Sequence, residues 1–108
     1  MTRHVVTLAL LLASPLAFAQ DQGKALYTAN CMACHGAKGD GNGPAAIALD
    51  PKPRSFSDAA FWEGKTNEDI KKVIKTGKPG TAMAPFPQLS DADVAALTTY
   101  LRTFEPKP

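Results

Sequence analysis

The chain has 108 residues, room for one small domain. Twelve Lys and Arg against ten Asp and Glu give a formal net charge of +2 with no basic block, which excludes a nucleic-acid-binding surface.

Residues 1–19 read as a secretory leader. Arg3, with His4, makes a short basic start, and Val5 to Ala13 is an apolar run. Ser14 and Pro15 break that run, and "AFA" (Ala17 to Ala19) supplies the small residues signal peptidase needs. The competing readings are a buried helix or a membrane anchor. The run is too short to cross a bilayer, which takes about 20 residues, and no second apolar segment follows. No cysteine marks the cleavage point, so a lipid anchor is not expected there. Cleavage after Ala19 leaves 89 residues, 20–108, with a formal charge of +1. The expected mature protein is periplasmic, without a membrane span.

Asp21 can cap a first helix running to about Cys34, with Leu26, Ala29 and Ala33 at helical spacing and Gly36 ending it. "GAKGDGNGP" then reads as a loop. A calcium loop here would need acids where the chain has Lys38 and Leu49, and a phosphate-cradling loop would need a preceding strand. "LDPKPRSF" is a proline-stiffened extended segment, and Ser57 starts a short helical turn through Phe61 and Trp62. Thr66 and Asp69 form a capping box for the next helix, whose stripe is Ile70, Val73 and Ile74 and whose stop is Gly77. After the loop "KPGTAMAPFPQ", Ser90 and Asp93 cap a last helix, with Val94, Leu97, Leu101 and Phe104 on one face until Pro106. No run alternates apolar and polar residues with β-branched enrichment. The expected fold is all-α, three helices and a short fourth joined by long loops.

The chemistry sits in "NCMACHG", residues 30–36. With the leader removed, His35 is the only histidine, Cys31 and Cys34 are the only cysteines, and Met32 and Met83 the only methionines. A structural zinc site needs four ligands, and no second ligand pair exists to complete one. A thioredoxin-like dithiol needs a βαβ unit, and no strands are expected. A Cys31–Cys34 disulfide closes too short a loop to restrict the unfolded chain much, and it leaves His35 without a role. Haem attachment uses every part of the motif. Each sulfur adds across one porphyrin vinyl group, and the adjacent imidazole becomes the proximal iron ligand. A porphyrin also supplies the apolar body that so small a chain and such long loops otherwise lack.

With "CMACHG", "GPAAIAL", "PRSF", "MAPF" and the final helix in that order, residues 21–104 resemble the class I c-type cytochromes, single-haem electron carriers of bacterial periplasms. The resemblance implies the class I fold wrapped around one haem c held by two thioethers. It implies that Gly23 and Tyr27 of the first helix cross the last helix near Leu97 and Tyr100. It gives Pro44 the carbonyl that accepts from His35, a partner that fixes the ring's tautomer and tunes the metal; Pro44 as a turn former is compatible with that. Arg54 resembles the family arginine that pairs with a haem propionate, as a permanently charged guanidinium suits; an ordinary surface arginine is the alternative. Trp62 either brings its indole N–H to the propionate edge or simply packs. Met32 lies on the histidine side of the ring, so the resemblance assigns the sixth ligand to Met83, in a loop stiffened by Pro85 and Pro87 and anchored by Phe86.

The function implied is electron transfer between protein redox partners, by a non-enzymatic carrier expected to be a monomer. A peroxidase-like or gas-binding haem protein would need an open sixth position and a distal acid–base group. A haem subunit of a larger oxidoreductase is a third reading. Lys65, Lys71, Lys72, Lys75 and Lys78 either form a docking face for an acidic partner or a solvated helix side interleaved with Glu63, Glu68 and Asp69.

Overall fold

The computed structural model describes residues 1–2, 4–11 and 15–108. Arg3, Ala13 and Ser14, three parts of the leader pattern, lie outside the described residues. Among the described residues, five α-helices and one 3₁₀ turn follow in order: α1 (Pro15–Asn30), α2 (Met32–His35), the turn Ala46–Ala48, α3 (Ala59–Trp62), α4 (Asn67–Thr76) and α5 (Asp91–Arg102). The described residues contain no strand, so the all-α expectation holds. None of their helices is long and apolar enough to cross a membrane.

Both capping boxes form as the sequence predicts. The Thr66 hydroxyl accepts from the Asp69 amide while the Asp69 carboxylate accepts from the Thr66 amide, and Ser90 and Asp93 repeat the exchange. Each exchange satisfies two otherwise orphaned donors of a first turn, so these helices begin where local chemistry dictates. Ile70 and Ile74 of α4 are buried, whereas Val73 stands 38% exposed. The inward stripe of this helix is therefore narrower than the sequence suggests.

Three boundaries differ from expectation. First, α1 starts at Pro15 rather than after Asp21, and runs unbroken past Ala19. A proline tolerates the first helical position because its missing N–H has no partner there anyway, and the alanines that follow do nothing to stop the helix. Second, the chain breaks at Cys31, so the cysteine motif forms a separate one-turn helix, closed by the Gly36 amide bonding the Met32 carbonyl. Third, α5 stops at Arg102. The Thr103 and Phe104 amides bond the Tyr100 and Leu101 carbonyls, a tighter turn that swings the Phe104 ring inward.

The core lies between α1, α4 and α5. Tyr27, Val94, Leu97, Leu101, Ile70 and Ile74 pack with Phe56, Phe61 and Trp62 into one buried cluster. Tyr27 meets both Tyr100 and Phe104 with ring centroids 5.3 Å apart. Burial raises the Tyr27 phenol well above its ordinary pKa, and its hydroxyl donates to the Gly36 carbonyl at 2.6 Å. The phenol thereby ties the α1–α5 seam to the residue that follows His35. Thr98, the buried polar residue of the seam, bonds the Val94 carbonyl of its own helix at 2.8 Å.

Candidate haem site

Cys31, Cys34 and His35 share a single turn because α2 is nothing more than that turn. The amides of Cys34 and His35 both bond the Cys31 carbonyl, at 3.2 and 2.9 Å. Both cysteines are free thiols, partly buried. Burial first, and Cys34 second, push the Cys31 thiol up to about 11. Disulfide exchange proceeds through the thiolate, so a thiol held protonated in this way exchanges slowly. Addition across a vinyl group, by contrast, uses up the S–H.

His35 is held by one segment. Its Nδ1 lies 3.1 Å from the Arg54 carbonyl oxygen, and its ring stacks on Phe56 with centroids 4.5 Å apart and planes inclined by 20°. A carbonyl only accepts, so Nδ1 carries the proton and Nε2 of the neutral ring carries the lone pair. Burial lowers the imidazole's pKa, and the bond to Arg54 offsets part of that effect. The neutral form dominates at neutral pH, which is the form that ligates a metal.

The carbonyl that lies against His35 Nδ1 is that of Arg54. Residues 43–45 lie on the other side of the motif, where the amides of Gly43 and Ala45 bond the carbonyls of Cys34 and Ala33 at 3.0 and 2.9 Å. Pro44 is exposed there; it shapes a loop strapped to α2.

The Trp62 indole N–H donates to the Phe56 carbonyl at 2.7 Å in a buried bond. The Arg54 side chain is exposed, with its guanidinium 5.3 Å over the Phe61 ring. Its backbone, which no sequence motif marks, is the part that touches His35. Phe56 belongs to "PRSF", but nothing in that motif points to its place against the imidazole.

Met83 stands half-buried on a separate loop, tied back to the end of α4. The Lys78 amide bonds the Met83 carbonyl at 2.9 Å, the Met83 amide bonds the Thr81 hydroxyl at 3.2 Å, and the Phe86 amide bonds the Ile74 carbonyl at 3.0 Å. Gly77 makes this return possible. Its φ is +70°, and a β-carbon there would come within 2.7 Å of the Met83 carbonyl oxygen and 2.8 Å of the Pro85 nitrogen. Only glycine combines that dihedral with that clearance.

The lysine face is partly consumed within the chain. Lys71 pairs with Glu68 and Lys75 with Asp91, while the Lys65 ammonium bonds the Phe61 carbonyl at 2.7 Å and lies over its ring. The described residues hold no cluster of three or more His, Cys, Asp or Glu side chains suited to a metal ion, which leaves no competing metal site of that kind among them. Two free thiols, a neutral histidine with an available Nε2, and partly buried Cys31, Met32, Phe86 and Leu89 at the margin of the core together fit a covalently attached haem.

Known proteins point the same way. The family model for cytochrome c matches residues 20–105. Cytochrome c-554(547) of Halothiobacillus neapolitanus is 34% identical over 86 residues, covering 77% of this chain and 93% of that protein. The Cbb3-type cytochrome c oxidase subunit FixP of Azorhizobium caulinodans is 31% identical over 85 residues, covering 79% of this chain but 27% of that one. The chain thus spans about a quarter of that longer relative. Among solved structures, the KustC0563 c-type cytochrome superposes with a TM-score of 0.63 at 32% identity, covering 78% of this chain and 98% of that one. Matched along nearly its whole length after Ala19 and carrying the attachment motif on its own helical turn, the chain belongs to the cytochrome c family, electron-transfer proteins that carry haem c.

Proposed function

We propose that the chain is an exported electron carrier, its haem attached through Cys31 and Cys34 and its iron ligated by His35 and Met83. The observation that carries this reading is the His35–Arg54 bond, which leaves Nε2 as the free donor of a neutral ring beside two free thiols. For the opposite side, Met83 is the remaining soft ligand of the sequence, and its loop is held in place by Gly77 and the bonds to Lys78 and Thr81. The bound haem supplies a one-electron iron couple. With His35 and Met83 holding it, the group would have no position open to a substrate, and methionine would raise its potential relative to a second histidine. Such a site suits outer-sphere transfer rather than bond chemistry. Export, with cleavage after Ala19, completes the proposal and places the carrier in the periplasm. It rests on the leader pattern of residues 1–19.

The experiment is a spectrum in both oxidation states, for the protein and for Met83→Ala. The oxidised protein is expected to show the weak far-red band of a methionine–ferric bond and to take up carbon monoxide slowly when reduced. Met83→Ala abolishes the band, lowers the potential and opens the iron to small molecules, while the haem stays attached. Absence of the band, with immediate uptake of carbon monoxide by the unmutated protein, would favour a sensor or peroxidase-like role instead.

A second reading has one observation behind it. A similar segment forms about a quarter of an oxidase subunit, so the same domain also serves as a component of larger oxidoreductases. Purification from the native source separates the two, since a free carrier elutes as a small monomer and a subunit elutes with its partners.

A further inference from the structure

A hydrogen bond at Nδ1 fixes where one edge of an imidazole points, but the ring can still pivot about the line from nitrogen to oxygen. Something flat lying against the ring stops that pivot. In this chain the same short segment supplies both restraints: the Arg54 carbonyl lies 3.1 Å from Nδ1, and two residues on, the Phe56 ring lies nearly parallel to the imidazole at 4.5 Å.

Phe56 is itself held firmly. It is 6% exposed. Its amide donates to the Gly39 carbonyl at 2.6 Å, and its carbonyl accepts the Trp62 indole N–H at 2.7 Å. Its ring packs edge-on to Phe61 at 5.1 Å and stacks with Phe104 at 6.2 Å. Trp62 in turn lies under the Arg102 guanidinium, 4.7 Å from it. Arg102 is fixed by the Asn67 side chain, the Lys65 carbonyl and the Glu105 carboxylate. A continuous line of contacts therefore runs from the end of α5 through Trp62 and Phe56 to the face of His35.

We propose that Phe56 is a positioning residue that sets the plane of the His35 imidazole, and that the Trp62 N–H holds Phe56 in register for that task. This deepens the ligand reading of His35 and rests on it. Neither residue touches the reacting centre in this role; both act through the histidine. A buried N–H is costly to leave without its carbonyl, so Trp62 and Phe56 are expected to behave as a unit.

The test uses the intact, matured protein and three variants: Phe56→Leu, which removes the flat face; Trp62→Phe, which removes the N–H while keeping an aromatic ring; and Ile70→Val, a core truncation on α4. The readout is the proton NMR spectrum of the oxidised form. There the order and spread of the haem methyl shifts follow the orientation of the axial ligand planes. The potential is measured alongside. Phe56→Leu is expected to reorder or narrow the methyl shifts and move the potential, and Trp62→Phe to do so in the same direction but less. Ile70→Val should lower only the unfolding midpoint. If Phe56→Leu yields no folded protein, Trp62→Phe decides by the same readout. If the aromatic variants move the unfolding midpoint but leave the shifts and the potential as in the parent, Phe56 is ordinary packing and the proposal fails. If the unmutated protein shows no haem-shifted resonances at all, the ligand reading of His35 fails first and carries the proposal with it.

Discussion

A β-carbon at Gly23 would stand 2.7 Å from the Cβ of Tyr100, and nearer still to the carbonyl oxygen of Ala96. The helices α1 and α5 touch backbone to backbone at this point, and backbone cannot step aside as a flexible side chain would. Gly23→Ala is therefore expected to push the helices apart, at a cost of about 1–3 kcal/mol, the usual range for overpacking a tight contact. The gain in helix propensity, about 1 kcal/mol for glycine to alanine, offsets only part of this. Urea unfolding of parent and variant measures the difference, and equal midpoints would mean that the helices have room to spare.

Arg54 separates into two halves with different consequences. Its carbonyl serves His35, and any residue but proline at that position can offer the same carbonyl without disturbing the segment. Its guanidinium, which lies 5.3 Å over the Phe61 ring, is proposed as the partner of a haem propionate. Arg54→Ala is expected to keep the haem and the histidine bond but to lower the potential by tens of millivolts. Losing a nearby cation favours the more positively charged oxidised iron. Arg54→Lys should retain most of the parent value. Voltammetry of the three proteins at neutral pH checks this, and identical potentials would class the side chain as ordinary surface.

The attachment chemistry predicts a mass result. After acid–acetone extraction the colour should remain with the polypeptide, at one haem per chain. Cys34→Ala should still hold haem through Cys31 alone, at lower yield and with a red-shifted reduced band, because one vinyl group survives. Colour that extracts freely from the parent would remove covalent attachment from the account.

Acid should weaken the two capping boxes in a definite window. Asp69 and Asp93 are held below the ordinary value of 3.8, chiefly by the amides of Thr66 and Ser90 that donate to them. A carboxyl lowered in the folded state stabilises above its unfolded value, and that contribution is lost as pH falls through the folded one. The unfolding midpoint should thus decline as pH drops below 3.8. Asp93→Asn, which keeps an acceptor but no longer titrates, should show a shallower decline over the same range. Parallel curves for parent and variant would count against the assignment.

The parts of this fold that rest on neighbours in sequence are legible in the sequence itself. Thr66 with Asp69 and Ser90 with Asp93 are each three residues apart, and their spacing already contains their geometry. The attachment motif is legible for the same reason. Gly23 is legible only through the family resemblance, since its partner belongs to the last helix, at the other end of the chain. The bonds from His35 to the Arg54 carbonyl and from the Trp62 indole to the Phe56 carbonyl are not legible in the sequence. Which carbonyl meets His35, and where an indole N–H ends, depend on how the 54–56 segment lies across α2, and no local pattern encodes that. Phe56 belongs to "PRSF", but its face against the imidazole is a product of packing that the motif does not encode. The start of α1 differs from the capping signal at Asp21 because helix propensity continues smoothly through Ala17 to Ala19.

The seam between α1 and α5 also has a direction in time. It joins the first helix to the last, so the long segment between them must be gathered before the contact returns any stability. Until that happens Tyr27 lacks Tyr100 and Phe104, and the turn carrying Cys31 and Cys34 has nothing closed behind it. The partly buried turn that carries Cys31 and Cys34 therefore leans on a seam that local structure alone cannot close, and the cost of bringing the two ends of the chain together falls on that seam.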